Sequence, residues 1–291
     1  MTFETITKTS GSVPSTEDLP IRYDLYVPGS NSQHEFPVII FLHGFKGFKD
    51  WGTFPAVCEE LCSLGFAVVA MNFSLNGIGE NKMEFDRLDL FARQTLSQDL
   101  DDVGSVIEAL QSGEITTDKA RLNTDEIGIL GHSRGGHTAV AAAAEYTEIV
   151  CLVTWSAVVD YNARWSDEMI KDWETRGVTE IKNGRTGQIM PVKKVVYEDA
   201  LANADRVIAL NRIKKLHIPS LFVHSKDDEA VSYHDAEKLY KASPSEDKEL
   251  KLVQNTGHTF GGTHPFEDEE FPEPLADVME ATGKWFQYYL Q

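Results

Sequence analysis

The sequence predicts an α/β domain in which a mostly parallel central sheet is flanked by helices and interrupted by one helical insertion, a cap over residues 160–215. Two observations predict it. Short apolar runs alternate with longer stretches whose apolar residues recur at helical spacing, the pattern of strands buried on both faces and joined by crossover helices. That alternation breaks between Asp160 and Lys215, where no buried-strand run stands out although helical patterns do. A chain of 291 residues, 42% of them hydrophobic, suffices to bury the core of one domain spanning 1–291 with the insertion inside it.

The opening segment, as far as Tyr26, reads as an antiparallel hairpin at the sheet edge, and the polar stretch 28–37, closed by a proline at each end, as the loop that follows. Residues 38–42 are the first buried strand, 54–64 a helix, 67–72 the next strand and 88–110 a long helix. A strand at 127–130, an Ala-rich helix at 136–146 and a strand at 150–155 lead into the insertion, where 167–176 and 197–210 have helical spacing. Its Tyr161, Trp165, Trp173, Ile189, Met190 and Tyr197 either cover one edge of the sheet or pack a helical elaboration for its own stability. The chain ends with a strand at 220–224, a helix at 233–242, a strand at 250–253 and a helix at 275–290.

Charge removes two classes of partner. With 46 acidic against 27 basic residues the formal net charge is −19, which repels nucleic acid phosphates and anionic membrane surfaces. No run approaches the roughly 20 apolar residues of a membrane helix, and the opening Met1-Thr2-Phe3-Glu4-Thr5 lacks the basic stretch and apolar core of a secretory signal. Cys58, Cys62 and Cys151 lie in apolar surroundings and read as buried free thiols, so a cytoplasmic location is expected. No further ligands accompany them at metal-binding spacing, and no His-Glu-x-x-His pattern occurs, so no metal is expected. Asn76-Gly77-Ile78-Gly79 lacks the spacing and the lysine of a phosphate loop; no cofactor is expected either. The acidic, proline-bearing 267–274 reads as a solvated loop.

The chemistry gathers after the strand at 127–130. Gly131-His132-Ser133-Arg134-Gly135 stands between that strand and an Ala-rich helix, where a sharp turn demands glycine two residues before and two after a serine raised to the sheet edge. A serine hydroxyl needs a general base and a group to orient that base. The strand at 220–224 leads into Asp227 and Asp228, either of which supplies a carboxylate, and the strand at 250–253 leads into Gly257-His258-Thr259-Phe260. The carboxyl ends of parallel strands share one edge, so these loops converge. His258 is the expected base. His217, His224 and His264 read as structural, while His43 and His132 sit inside backbone-defining motifs and brace loops. Gly44 lets the chain turn after the first buried strand, so the amides of Phe45 and of Arg134 become the expected oxyanion donors. The Arg134 side chain is left with two readings, a substrate carboxylate or one of the chain's many acids. Phe48, Trp51 and Trp165, with Phe45, are candidate pocket aromatics.

Taken together, His43-Gly44, the Gly-His-Ser-Arg-Gly turn, the acid loop at Asp228 and Gly257-His258-Thr259-Phe260 resemble the α/β-hydrolase superfamily in kind and in order, over most of the chain. Within it the chain looks most like dienelactone-hydrolase-like and prolyl-oligopeptidase-like serine esterases. The resemblance aligns Asp228 rather than Asp227 with the family acid. It implies the α/β-hydrolase fold and a Ser133-His258-Asp228 triad cleaving carboxylic esters through an acyl-enzyme, on a small-molecule ester or a short peptide or amide. Dienelactone hydrolase itself uses cysteine, so the serine here points to ordinary ester or amide cleavage; 291 residues do not accommodate the propeller of prolyl peptidases. An aminopeptidase or amidase with the same triad, and a non-catalytic binding protein on the same fold, are the alternatives.

Overall fold

A computed structural model describes residues 3, 5–29, 34–79, 81 and 84–291. Strands β1 (Ile6–Pro14) and β2 (Pro20–Pro28) form the edge hairpin, paired antiparallel from Ile6 opposite Pro28 to Pro14 opposite Pro20. There follow β3 (Glu35–Leu42), α1 (Phe54–Ser63), β4 (Ala67–Met71), α2 (Leu88–Phe91), α3 (Leu96–Ser112), β5 (Arg121–His132), α4 (Arg134–Ala143) and β6 (Ile149–Trp155). The insertion holds α5 (Asp167–Arg176), β7 (Val178–Lys182), β8 (Ile189–Lys193), α6 (Lys194–Ala202), α7 (Ala204–Val207) and α8 (Ala209–Arg212). Then come β9 (Ser220–Ser225), α9 (His234–Ala242), β10 (Lys248–Val253) and α10 (Glu273–Leu290). Part of the expected 28–37 loop, 30–33, lies outside the described residues.

The sheet runs β1-β2-β4-β3-β5-β6-β9-β10, and every pair from β4 to β10 is parallel. Both faces of it are buried. Along β3, Val38, Ile40 and Leu42 face the helices α3, α4 and α9, while Ile39 and Phe41 face α1 and α10. Burial on both sides is why these strands read as unbroken apolar runs. The chain lays β4 on one side of β3 and returns to place β5 on the other, so strand order reverses between β3 and β5. Ligands bind α/β sheets in the crevice at such a reversal, beyond the carboxyl ends of the strands.

Two expectations need correction. The long helix expected at 88–110 is broken: α2 ends at Phe91, and the Thr95 hydroxyl accepts from the Gln98 amide at 3.1 Å and starts α3 afresh. A Thr cap satisfies an amide that a continuous helix would have bonded internally, so the break costs little. The insertion, expected to be helical, also contains the antiparallel hairpin β7–β8, with Ile181 opposite Met190 and Lys182 opposite Ile189. Its strands are short and half-exposed, so they lack the apolar run that marks the central strands. The insertion packs through Trp173, Met190, Val192 and Val196 against Phe48, Phe85 and Phe91, which places it over the loops at the carboxyl edge. Cys58, Cys62 and Cys151 are buried and unbridged. Among the described residues no helix is long and apolar enough to cross a membrane, and no cluster of three or more His, Cys, Asp or Glu could hold a metal ion.

Candidate active site

Ser133 stands between β5 and α4 with φ 56° and ψ −113°. A side-chain-bearing residue adopts a positive φ only when its surroundings impose it. Here the Ser133 amide donates to the Trp155 carbonyl at 2.8 Å, locking the turn to the neighbouring strand. The close approach expected of the glycines is present: a Cβ on Gly135 would lie 2.3 Å from the Leu42 carbonyl oxygen, so α4 can meet β3 only there without a side chain.

The loop after β9 carries Asp228, the expected acid. Asp228 Oδ2 lies 2.7 Å from His258 Nδ1, and Oδ1 accepts from the amides of Ala230 at 2.8 Å and Val231 at 2.9 Å. Its side chain is fully buried. Burial alone would raise the affinity of this carboxyl for a proton, but hydrogen bonds from His224 and His258 outweigh it and hold the group well below the usual carboxylate range. His224 Nε2 is 3.0 Å from the Val231 carbonyl and 3.2 Å from Asp228 Oδ2, so it carries the proton and donates to both oxygens. Asp227 is exposed and accepts instead from the Asn255 amide at 2.6 Å, tying the two loops together.

The other histidines divide by what they touch. His132 Nε2 donates to the His258 carbonyl at 3.0 Å; burial and the neighbouring His258 lower it to about 3, so it stays neutral. His43 Nδ1 donates to the Gly44 carbonyl at 2.8 Å, and burial lowers this ring to about 4. Both brace loops, as their motifs imply. His264 Nδ1 accepts from the Gly52 amide at 2.7 Å and stacks on Trp51, and His217 is exposed.

Beyond β3 the chain turns through Gly44-Phe45-Lys46-Gly47, with the Gly47 amide donating to the Gly44 carbonyl at 3.0 Å and Lys46 at φ 56°. Among the described residues the amides of Phe45 and Arg134 donate no hydrogen bond within the chain. The turn, the elbow and the histidine loop enclose a cavity of about 260 Å³ lined by Ser133, His258, Phe45, Trp51, Lys46 and Arg185, among others. A larger cleft of about 340 Å³ between β10 and α10 holds neither serine nor histidine, so chemistry singles out the smaller one.

A family model described as the prolyl oligopeptidase family matches residues 53–272, a stretch that includes the elbow, the acid loop and the histidine loop. The chain belongs to the prolyl oligopeptidase family. Its architecture is the α/β-hydrolase fold. A putative hydrolase from Agrobacterium vitis S4 superposes with a TM-score of 0.72 at 17% identity, over 97% of this chain and 99% of that one. The esterase domain of a Rhodothermus marinus protein superposes with a TM-score of 0.64 at 19% identity, over 99% and 100%. An uncharacterized 31.7 kDa Escherichia coli protein from the traX-finO intergenic region is 32% identical over 143 residues, which are 49% of this chain but only 44% of that protein.

In this prolyl oligopeptidase family member the pocket differs from the sequence expectation at two aromatics. Trp51 lines the cavity, but Phe48 is completely buried against Phe85 and His264. Trp165 packs on Tyr161 and Trp173 inside the insertion and stands outside the wall. The Arg134 side chain also leaves the site: it is buried, its Nε is 2.6 Å from Asp99 Oδ2, and it donates to the Gln94 carbonyl at 3.0 Å. That settles its two readings in favour of an internal acid. The insertion contributes Asn183, Gly184 and Arg185 from the β7–β8 connection, which sequence reasoning missed. The Asn-Gly pair between short β-prone runs was the available signal.

Proposed function

We propose that this chain is a serine hydrolase that cleaves carboxylic esters through an acyl-enzyme on Ser133. The observation that carries the reading is the 2.7 Å contact between Asp228 and His258 beside a cavity that Ser133 and His258 line together. An ionised Asp228 can only accept, so His258 presents Nδ1–H to it and keeps Nε2 free as the base. Nε2 takes the Ser133 proton as Oγ attacks the ester carbonyl. The oxyanion that forms is met by the unengaged amides of Phe45 and Arg134, the latter at the first position of α4, where the helix dipole adds positive potential. His258 then returns the proton to the departing alcohol, and a water activated by the same nitrogen releases the acid.

The family match keeps peptide and amide cleavage as a second reading, since the same acyl chemistry serves both. An aminopeptidase has to hold the α-ammonium of its substrate, and the described wall of this cavity carries two cations and no carboxylate. That favours esters, the class named for the Rhodothermus marinus domain. Ser133→Ala is expected to abolish both turnover of 4-nitrophenyl acetate and labelling by a fluorophosphonate. Unchanged turnover in that variant would overturn the reading, and faster hydrolysis of peptide anilides than of matched esters would move it to amidases.

A further inference from the structure

We propose that Lys46 and Arg185 form an anion-binding wall of the Ser133 cavity, so that the preferred substrates are esters carrying a carboxylate or comparable anion near the scissile bond. This deepens, and rests on, the assignment of Ser133 as nucleophile. The chain has 46 acidic residues against 27 basic ones, yet the two charged side chains among the described lining of this cavity are both cations.

The two cations come from different parts of the fold. Lys46 sits in the tight turn next to Phe45, at φ 56°, a conformation that glycine or asparagine takes up more readily than lysine. Among the described residues it forms no ion pair, whereas Lys49, three positions on, is held by Asp24 at 2.5 Å and Asp50 at 2.9 Å. Lys46 is half-buried, and burial with no compensating acid lowers its proton affinity. An anion arriving in the cavity would supply that compensation. Arg185 comes from the insertion, on the β7–β8 connection, where its amide donates to Asn183 Oδ1 at 3.1 Å and fixes the backbone that carries it. Burial lowers the proton affinity of Arg185, and the nearby Glu84, exposed and outside the wall, raises it in part. Arg134, the cation adjacent to the nucleophile, is consumed by Asp99 and cannot serve.

The anion can lie on either side of the ester, and paired substrates separate the two. Mono(4-nitrophenyl) adipate against its methyl ester places it in the acyl group; 4-acetoxybenzoate against methyl 4-acetoxybenzoate places it in the alcohol. Each kcat/KM is divided by the rate constant for hydroxide-catalysed hydrolysis of the same compound. In one pair the anionic member is expected to be favoured by about ten- to hundredfold, the range of one to two charge-assisted hydrogen bonds. That preference should shrink about tenfold in Lys46→Met and in Arg185→Gln, persist in Lys46→Arg, and fall in the wild type as salt rises from about 0.05 to 1 M. Where a variant fails to fold, the wild-type ratio and its salt dependence decide. A ratio at or below one in both pairs, with the neutral esters turned over, overturns the anion wall and leaves the hydrolase standing. No turnover of any ester together with no labelling of Ser133 overturns the hydrolase, and the wall with it.

Discussion

The His132 imidazole donates to the backbone carbonyl of His258 at 3.0 Å, so the residue before the elbow serine holds the loop that carries the histidine. The rings of the two residues lie 4.8 Å apart. His132→Leu removes this tie and keeps most of the volume. We expect kcat for a 4-nitrophenyl ester to fall about ten- to hundredfold through a misplaced His258, and the urea unfolding free energy to drop by about 1 kcal/mol for the lost hydrogen bond. Fluorophosphonate labelling should slow in parallel with kcat. Full kcat in a folded variant would show that the histidine loop holds its place unaided.

Gly44 is the second constraint on Ser133, the proposed nucleophile. A Cβ there would lie 3.0 Å from Ser133 Cβ and 3.2 Å from His132 Nδ1, closer than van der Waals contact allows. Gly44→Ala is expected to push the serine and the Phe45 amide apart by a few tenths of an ångström, lowering kcat about ten- to hundredfold. Overpacking of this kind also destabilises by about 1–3 kcal/mol. Steady-state kinetics beside urea unfolding separate the two effects, because a purely structural role would leave kcat intact in the folded fraction.

What could be read from the chain follows from how local each constraint is. The run Val38 to Leu42 is apolar at every position because both sides of β3 are covered, and the elbow glycines are demanded by atoms a few residues away. Such features leave a trace in the sequence. The break between α2 and α3 leaves little, since apolar residues keep helical spacing across a cap supplied by one threonine. The pocket wall leaves less again. Phe48 and Trp51 look alike in sequence, and only the packing of His264 and Phe85 decides that one is core and the other cavity. Arg185 reaches the site on the β7–β8 connection, whose short, half-exposed strands carry no apolar run to announce it.

Acid sensitivity follows from the buried histidines. Burial lowers His43 and His137 to about 4 and His132 to about 3. An unfolded histidine titrates near 6.5, so below that pH the unfolded chain binds more protons and the stabilisation these groups give at neutral pH is lost as pH falls. Asp102 works the other way: burial raises it to about 7, so it regains stability on protonation over the same interval. Among these four groups three histidines outweigh Asp102, a net loss of about 3 kcal/mol between pH 7 and pH 5; Asp99, which burial also raises, reduces it, and His264, which burial lowers, adds to it. Urea unfolding at the two pH values measures it. His137→Gln should shrink the difference by about 2 kcal/mol, and a stability independent of pH over this range would contradict the assignment.

The Arg134–Asp99 pair supports the elbow from beneath. Arg134 Nε lies 2.6 Å from Asp99 Oδ2, both side chains are essentially excluded from solvent, and Asp99 also accepts from Gln94 Nε2 at 2.8 Å. The carboxylate outweighs the effect of burial and keeps the guanidinium charged. Removing one partner leaves the other charge buried alone, so Asp99→Leu is expected to destabilise by about 3–5 kcal/mol. The double variant Asp99→Leu with Arg134→Met removes both charges, and stability should recover by several kcal/mol relative to the single change. Its Ser133 chemistry should be retained, because position 134 still offers its backbone amide. The Arg134 side chain, held by Asp99 and the Gln94 carbonyl, is not among the residues that line the cavity. A double variant that is stable yet inactive would instead give the guanidinium itself a part in the reaction.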